Sequence, residues 1–265
     1  MSARPNSLRV ARALLRASLT LALQYRVEFF IEGALALLWT GVTLVPVFVV
    51  YQNRPEVAGW SFAEVLVVIG WFTALKGFLE GVVSPSLLGV VEHVRNGTLD
   101  FILVKPVDAQ LFVSLQKIEP WRLFDAAAAA AIFGYAFHLL DRTPTLGQLA
   151  AAAVMLGAAL VVLYAIAIAV ISIAFFAVRV DNLLFLFQSI FDVARWPSSV
   201  FRGPLSVIFT YVLPLALMTT YPALALLGKL TLQTALGALV GAFVFALLSR
   251  LAWRASLRRY TSASS

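Results

Sequence analysis

Lys76 and Glu80 are the pair in this sequence whose types and spacing most invite chemistry. They lie four residues apart inside an apolar run, so on a helix they share a face and can pair. An ion pair that locks helices together is the plain reading. A step in a polar pathway through a membrane is the functional one. Asp125 and His138 interrupt a later apolar run, 13 residues apart and too far along one helix to touch. Asp125 is expected to find a basic partner such as Arg122, and His138 to lie at headgroup level.

Most other chemistries are excluded by inventory. His93 and His138 are the only two histidines, they fall in different segments, and cysteine is absent, so neither a metal site nor a thiol nucleophile has support. No G-x-S-x-G exists to present a serine nucleophile. The phosphate-binding loop G-x-x-x-x-G-K-[ST] is also missing, because Gly228 and Lys229 are followed by Leu230 and position 223 is Ala. ATP bound to this chain is therefore not its energy source, and no cofactor is expected on it.

The elements that position these residues follow from composition. Of 265 residues, 62% are hydrophobic and 12% charged, against about 25% charged in a soluble domain. A span needs roughly 20 apolar residues to cross about 30 Å of hydrocarbon. About six such spans use up the chain, so an all-α integral membrane protein with a single domain over residues 1–265 is expected. The net charge of +7 resides beside the apolar runs. It fits attraction to anionic lipid headgroups and retention at the cytoplasmic face, not nucleic acid.

Along the chain, residues 7–28 read as a helix lying in the interface, with Arg9, Arg12 and Arg16 on one face. The first apolar run is too long for a cleavable leader and is expected to stay as a span. Spans are expected at about 29–50, 61–83, 121–140, 148–178, 181–197 and 230–250, with a polar turn at 51–60. The prolines at 197, 204, 214 and 222 leave no room for an uninterrupted helix of 20 residues. Residues 198–226 therefore read as a re-entrant helical hairpin, whose turns would be set by Pro204, Pro214, Tyr221 and Pro222. The alternative is a cytoplasmic amphipathic segment over 180–202 followed by a kinked span over 203–222. About 14 of the 20 Lys and Arg lie in the N-terminal segment, the 84–120 loop, Arg179 and the tail. The positive-inside rule then places both termini in the cytoplasm.

The 84–120 loop is the longest polar stretch. Its start reads as a short amphipathic helix parallel to the membrane, with Leu87, Leu88, Val91 and Val94 on one face and Glu92, His93, Arg95 and Asn96 on the other. Gly97 is placed to end it. Asp100 and Lys105 then flank an apolar patch before Pro106. Such a helix could dock in a groove on a soluble partner, or merely connect two spans.

The order of these features resembles a known family. A basic N-terminal helix is followed by two spans and a loop carrying Gly97-x-Leu99-Asp100-x-x-Leu103-x-Lys105-Pro106. Pro214 and Tyr221-Pro222 precede Leu227-Gly228, and Trp253 with Arg258-Arg259-Tyr260-Thr261-Ser262 closes the chain. This is similar to the ABC-2 type permeases, in particular the subfamily once classed only as a domain of unknown function. The glycine that usually closes the tail motif is replaced by Ala263. The resemblance implies a permease subunit of an ATP-driven exporter in the cell membrane. Two permease subunits, identical or not, would form the pathway, and two separate ABC ATPase subunits would carry ATP and Mg. Glu92, Arg95, Gly97, Asp100, Lys105 and Pro106 would belong to the coupling region, and the hairpin would shape the outer gate. A secondary transporter, a membrane-embedded enzyme and an assembly protein remain as alternatives from other classes; a secondary transporter would be expected to carry more intramembrane carboxylates.

Overall fold

The computed structural model describes residues 12–13, 16–20, 24–105, 108–175 and 181–259. Of the interfacial helix read over 7–28, residues 12–13, 16–20 and 24–28 are described and all but Tyr25 are helical; the rest lies outside the described residues, as do Pro106 and Arg179.

Helix α1, Arg26–Asn53, is 28 residues long, and only Gly33, Ala36 and Val47 are buried along it. Its remaining surface is apolar and outward-facing, with Phe30, Leu38, Trp39 and Val45 all exposed. That is the pattern of a helix whose solvent is lipid. A two-residue hairpin follows, Glu56–Val57 against Trp60–Ser61. Its central residues, Ala58 and Gly59, both have positive φ, the type I′ geometry that matches strand twist.

Ser61 caps the next helix through a capping box with Glu64. Helix α2, Phe62–Phe78, runs through a π-helical turn, Leu79–Val83, directly into α3, Ser84–Arg95. The 34 residues from Phe62 to Arg95 form one rod, about 51 Å long at 1.5 Å per residue. The break expected after position 83 does not occur, and the segment read as a separate surface helix continues the second span. Pro85 lies just past this junction. It has no N–H for the Gly81 carbonyl four residues back, yet that carbonyl is not stranded, because the Glu119 amide donates to it at 2.8 Å. The rod ends where Gly97 turns with φ 65°. The amides of Gly97 and Thr98 donate to the carbonyls of Val94 and His93, the Schellman pattern.

Two short helices, α4 (Asp100–Leu103) and α5 (Ala109–Ser114), complete the polar stretch. A 3₁₀ turn, Pro120–Arg122, leads into α6, Leu123–Leu139. Helix α7, Leu146–Ser172, starts on a second capping box, Thr145 with Gln148. It is the central element, packed against α11 (Leu232–Arg259) and against the segment before it. Helices α2 and α6 pack closely because glycines leave the room. A Cβ at Gly70, Gly77 or Gly81 would come within 2.6, 2.7 and 2.8 Å of Phe133, Asp125 and Arg122.

Among the described residues, α1, the α2–α3 rod, α7 and α11 are each long and apolar enough to cross a membrane. Helix α6 has 17 residues, about 26 Å, extended by its 3₁₀ turn. Helix α8, Asp181–Phe191, has only 11 residues before a 3₁₀ turn, Asp192–Arg195. At about 16 Å it cannot cross as a helix, so the fifth span read over 181–197 is a short α-helix, a 3₁₀ turn and two non-helical residues, Trp196 and Pro197. The Pro-rich region forms two arms, α9 (Pro204–Val212) and α10 (Ala216–Leu226), bent by 67°. Pro214 lies between them, and its carbonyl accepts from the Leu217 and Met218 amides to start the second arm.

Candidate functional site

The π-helical turn aims Glu80 at Arg122, whose side chain reaches it because Gly81 lacks a Cβ. Arg122 pairs with Glu80 at 2.5 Å and with Asp125 at 3.3 Å. Lys76 lies 3.8 Å from Glu80, but its closer partner is Asp192 at 2.8 Å. Arg195 joins through Asp192, 4.0 Å between charged groups, and its Nε donates to the Asp192 carbonyl. Three cations and three anions thus alternate in one cluster fed by α2, α6 and α8. Phe72 lies beneath two of the cations, with Lys76 and Arg195 each 5.7 Å from its ring. Phe191 stacks on Phe72 at 5.5 Å. The pair read from spacing, Lys76 and Glu80, is therefore one edge of a larger network. Asp192 and Arg195 went unread, although an Asp and an Arg three apart inside a short apolar run were a visible signal.

The proline-rich segment attaches at both ends to one end of α2. Ser199 Oγ donates to the Ala58 carbonyl at 3.1 Å and accepts from the Trp60 indole at 3.0 Å. At the far end, Lys229 pairs with Glu64 in the first turn of α2 at 2.6 Å, and Arg142 donates to the Leu227 carbonyl. Between them, Thr219 Oγ1 donates to the Ala194 carbonyl at 2.7 Å, and the Ser198 amide donates to Thr220. Pro204 is exposed on the first turn of α9, Pro214 and Pro222 are buried, and Tyr221 is half-buried. Three contacts also order α8 along the rod: Gln188 with Ser84, Asp192 with Lys76, and Ser199 with Trp60. Phe62 and Ser84 are 22 positions apart, about 33 Å of helix, so residues 188–199 run alongside the rod between these contacts.

At the other end, the polar stretch doubles back on α3. Ser86 Oγ donates to the Lys117 carbonyl and accepts from its amide, 2.6 and 3.1 Å. His93 is held by Thr98 on one ring nitrogen and Gln116 on the other, so it is structural. Leu87 and Val91 are buried against the bundle, while Glu92 and Arg95 are exposed. Asp100 is half-buried on the first turn of α4, and Lys105 lies 4.0 Å above the Phe112 ring. Arg250 of α11 grips Asp108 at 2.5 Å and also bonds Gln110, which donates to Tyr164 of α7 at 3.1 Å. The Arg250 hydrogen bond holds the Asp108 carboxyl below the usual carboxylate range. Burial pushes Glu119 above it. No group of three His, Cys, Asp or Glu residues able to hold a metal occurs among the described residues.

An all-helical chain with apolar outer faces and a charge-balanced cluster between its helices is a membrane protein of the transporter class. Residues 37–264 match the family described as ABC-2 family transporter protein. That is most of the chain, and the protein belongs to this family. No curated protein and no solved structure matches it.

Proposed function

We propose that this protein is the membrane-spanning permease subunit of an ATP-driven exporter, working as a dimer on separate ABC ATPase subunits. The family match over residues 37–264 carries the reading. The rod gives it a mechanism. Glu92 and Arg95 are exposed at one end of a helix whose middle bears Lys76 and Glu80. An ATPase that grips the α3 tip, with Gly97, Asp100, Lys105 and Pro106 completing the contact, would move the charge cluster without a flexible joint. Closure of the ATPases would bias the pathway between inward and outward states.

In this reading six crossings are made by α1, α2, α6, α7, α8 with its extended continuation, and α11. Residues 198–226 dip into the membrane from outside and return to the same side, forming the outer gate. The attachment of Ser199 and Lys229 to the hairpin end of α2 supports that path. Both termini and the α3 tip lie in the cytoplasm, as the distribution of Lys and Arg favours.

The test is purification of the tagged chain from its native membrane, with identification of what co-purifies. An ATPase carrying a phosphate-binding loop is expected, and ATP hydrolysis only with that partner present. Recovery of the folded chain without any ATPase, or ATP turnover by the chain alone, defeats the proposal.

A further inference from the structure

The charge cluster is not enclosed. The side chains of Lys76 and Asp192 are 31% and 36% exposed, and that of Glu80 is 21% exposed. Lys76 is 14 positions beyond Phe62, about 21 Å along the rod, which is within the thickness of a bilayer core. Ionised groups at that depth are costly against acyl chains and normally face protein or water. The lipid-facing surfaces of this fold look different. On α1 and α11 the exposed side chains at comparable positions are Leu38, Val42, Val240 and Phe243.

A cleft of about 770 Å³ leads from this cluster to the α3 end of the molecule, a volume in the range of small-molecule pockets. One wall is a stripe of the rod at four-residue spacing, Glu80, Ser84, Leu88 and Glu92. The others are Gln188 of α8 and the segment carrying Lys117 and Arg122. Both signs occur at the floor, Glu80 and Glu119 with Arg122, and both at the mouth, Glu92 with Lys117. Toward the opposite end the stacked Phe72 and Phe191 rings close the path, and residues 65–69 beyond them are fully buried and apolar.

The geometry points to a water-filled vestibule that opens at the α3 end, reaches the Glu80 and Arg122 pair, and receives a polar group bearing both positive and negative charge. An apolar cargo would have to strip water from every charged wall and gain nothing in return. A group of single sign would meet like charges on part of the lining, whichever its sign. Its service as the cargo's way in rests on the permease reading; its wetness and charge balance do not.

The chain has no cysteine, so single substitutions Ser84→Cys, Leu88→Cys and Gln188→Cys report on the cleft. Leu38→Cys and Val240→Cys report on lipid, and Arg258→Cys, exposed at the end of α11, on open water. Thiols react as thiolates, which form in water and not in hydrocarbon. Impermeant cationic and anionic methanethiosulfonates of similar size are added to inside-out vesicles. The cleft positions should react within about tenfold of Arg258→Cys, and the two lipid positions more than about hundredfold slower. Cationic and anionic reagents should differ by less than about thirtyfold at Gln188→Cys, since a one-signed field would separate them much further. Cleft positions as slow as Leu38→Cys, or reactive only in right-side-out vesicles, overturn the vestibule. A larger preference for one sign overturns the charge assignment. If no ATPase co-purifies but the cleft still labels from inside, the permease reading fails and the vestibule stands.

Discussion

The Glu119 amide donates to the Gly81 carbonyl at 2.8 Å, and this bond, with the Ser86–Lys117 pair beside it, ties the polar stretch to the longest rod. Four positions on, Pro85 has no N–H to offer Gly81, so a segment from outside the helix completes the ladder. The same glycine accommodates Arg122, since a Cβ there would fall 2.8 Å from the arginine Cβ. Gly81→Val should therefore push α6 away from α2 and cost about 1–3 kcal/mol. Thermal unfolding of the detergent-solubilised protein measures this. A variant as stable as wild type would mean the two helices are not held at this distance.

Lys76 and Asp192 join α2 to α8 at 2.8 Å. Removing one partner leaves the other charged within the membrane, whereas removing both does not. Because both are about one-third exposed, the cost of Lys76→Met or Asp192→Asn alone is put at about 1–3 kcal/mol, discounted from the buried case. The double variant should recover at least half of it. Thermal stability of all three variants in one detergent gives the coupling energy, and purely additive losses would show that the pair is not coupled.

The α3 tip should be where the ATPase engages. Arg95→Glu or Glu92→Lys should reduce co-purification of the ATPase or uncouple hydrolysis from transport, with membrane insertion unchanged. A small interface depends on few anchors. Arg258→Glu, at the end of α11, should do less, since attraction to headgroups is worth about 1 kcal/mol per basic residue. Wild-type assembly and turnover in both tip variants would reduce this segment to a connector.

The path of residues 198–226 can be read by labelling. Arg202→Cys and Lys229→Cys should both react with an impermeant thiol reagent added outside intact cells. Labelling at 229 but not at 202 would replace the re-entrant hairpin with a kinked span.

Asp108 gives a pH signature. Its hydrogen bond from Arg250 lowers the folded carboxyl below its unfolded value, which is about 3.9. The sign follows from linkage: the contribution is fully present above the unfolded value and is lost as pH falls through the folded one. Thermal stability should therefore drop below about pH 4, and Asp108→Asn should drop less over the same interval. Equal slopes would show that the pair adds nothing to stability.

Much of this protein was legible in one dimension. Apolar runs of span length and sparse charge define a membrane chain, because hydrophobic length is a local property. The order of short motifs was enough to resemble the family that residues 37–264 then matched. Asp125 with Arg122 was readable because the two are three positions apart on one helix. Tertiary structure decided the rest. Asp192 pairs with Lys76 across 116 positions, and Arg250 bonds Asp108 across 142; spacing says nothing about partners brought together by packing. Pro85 lacks the N–H that would carry the helical ladder back to Gly81. Only the fold could supply Glu119 as the donor that let the rod continue, and with it the one stiff element that joins the exposed tip to the charges in the membrane.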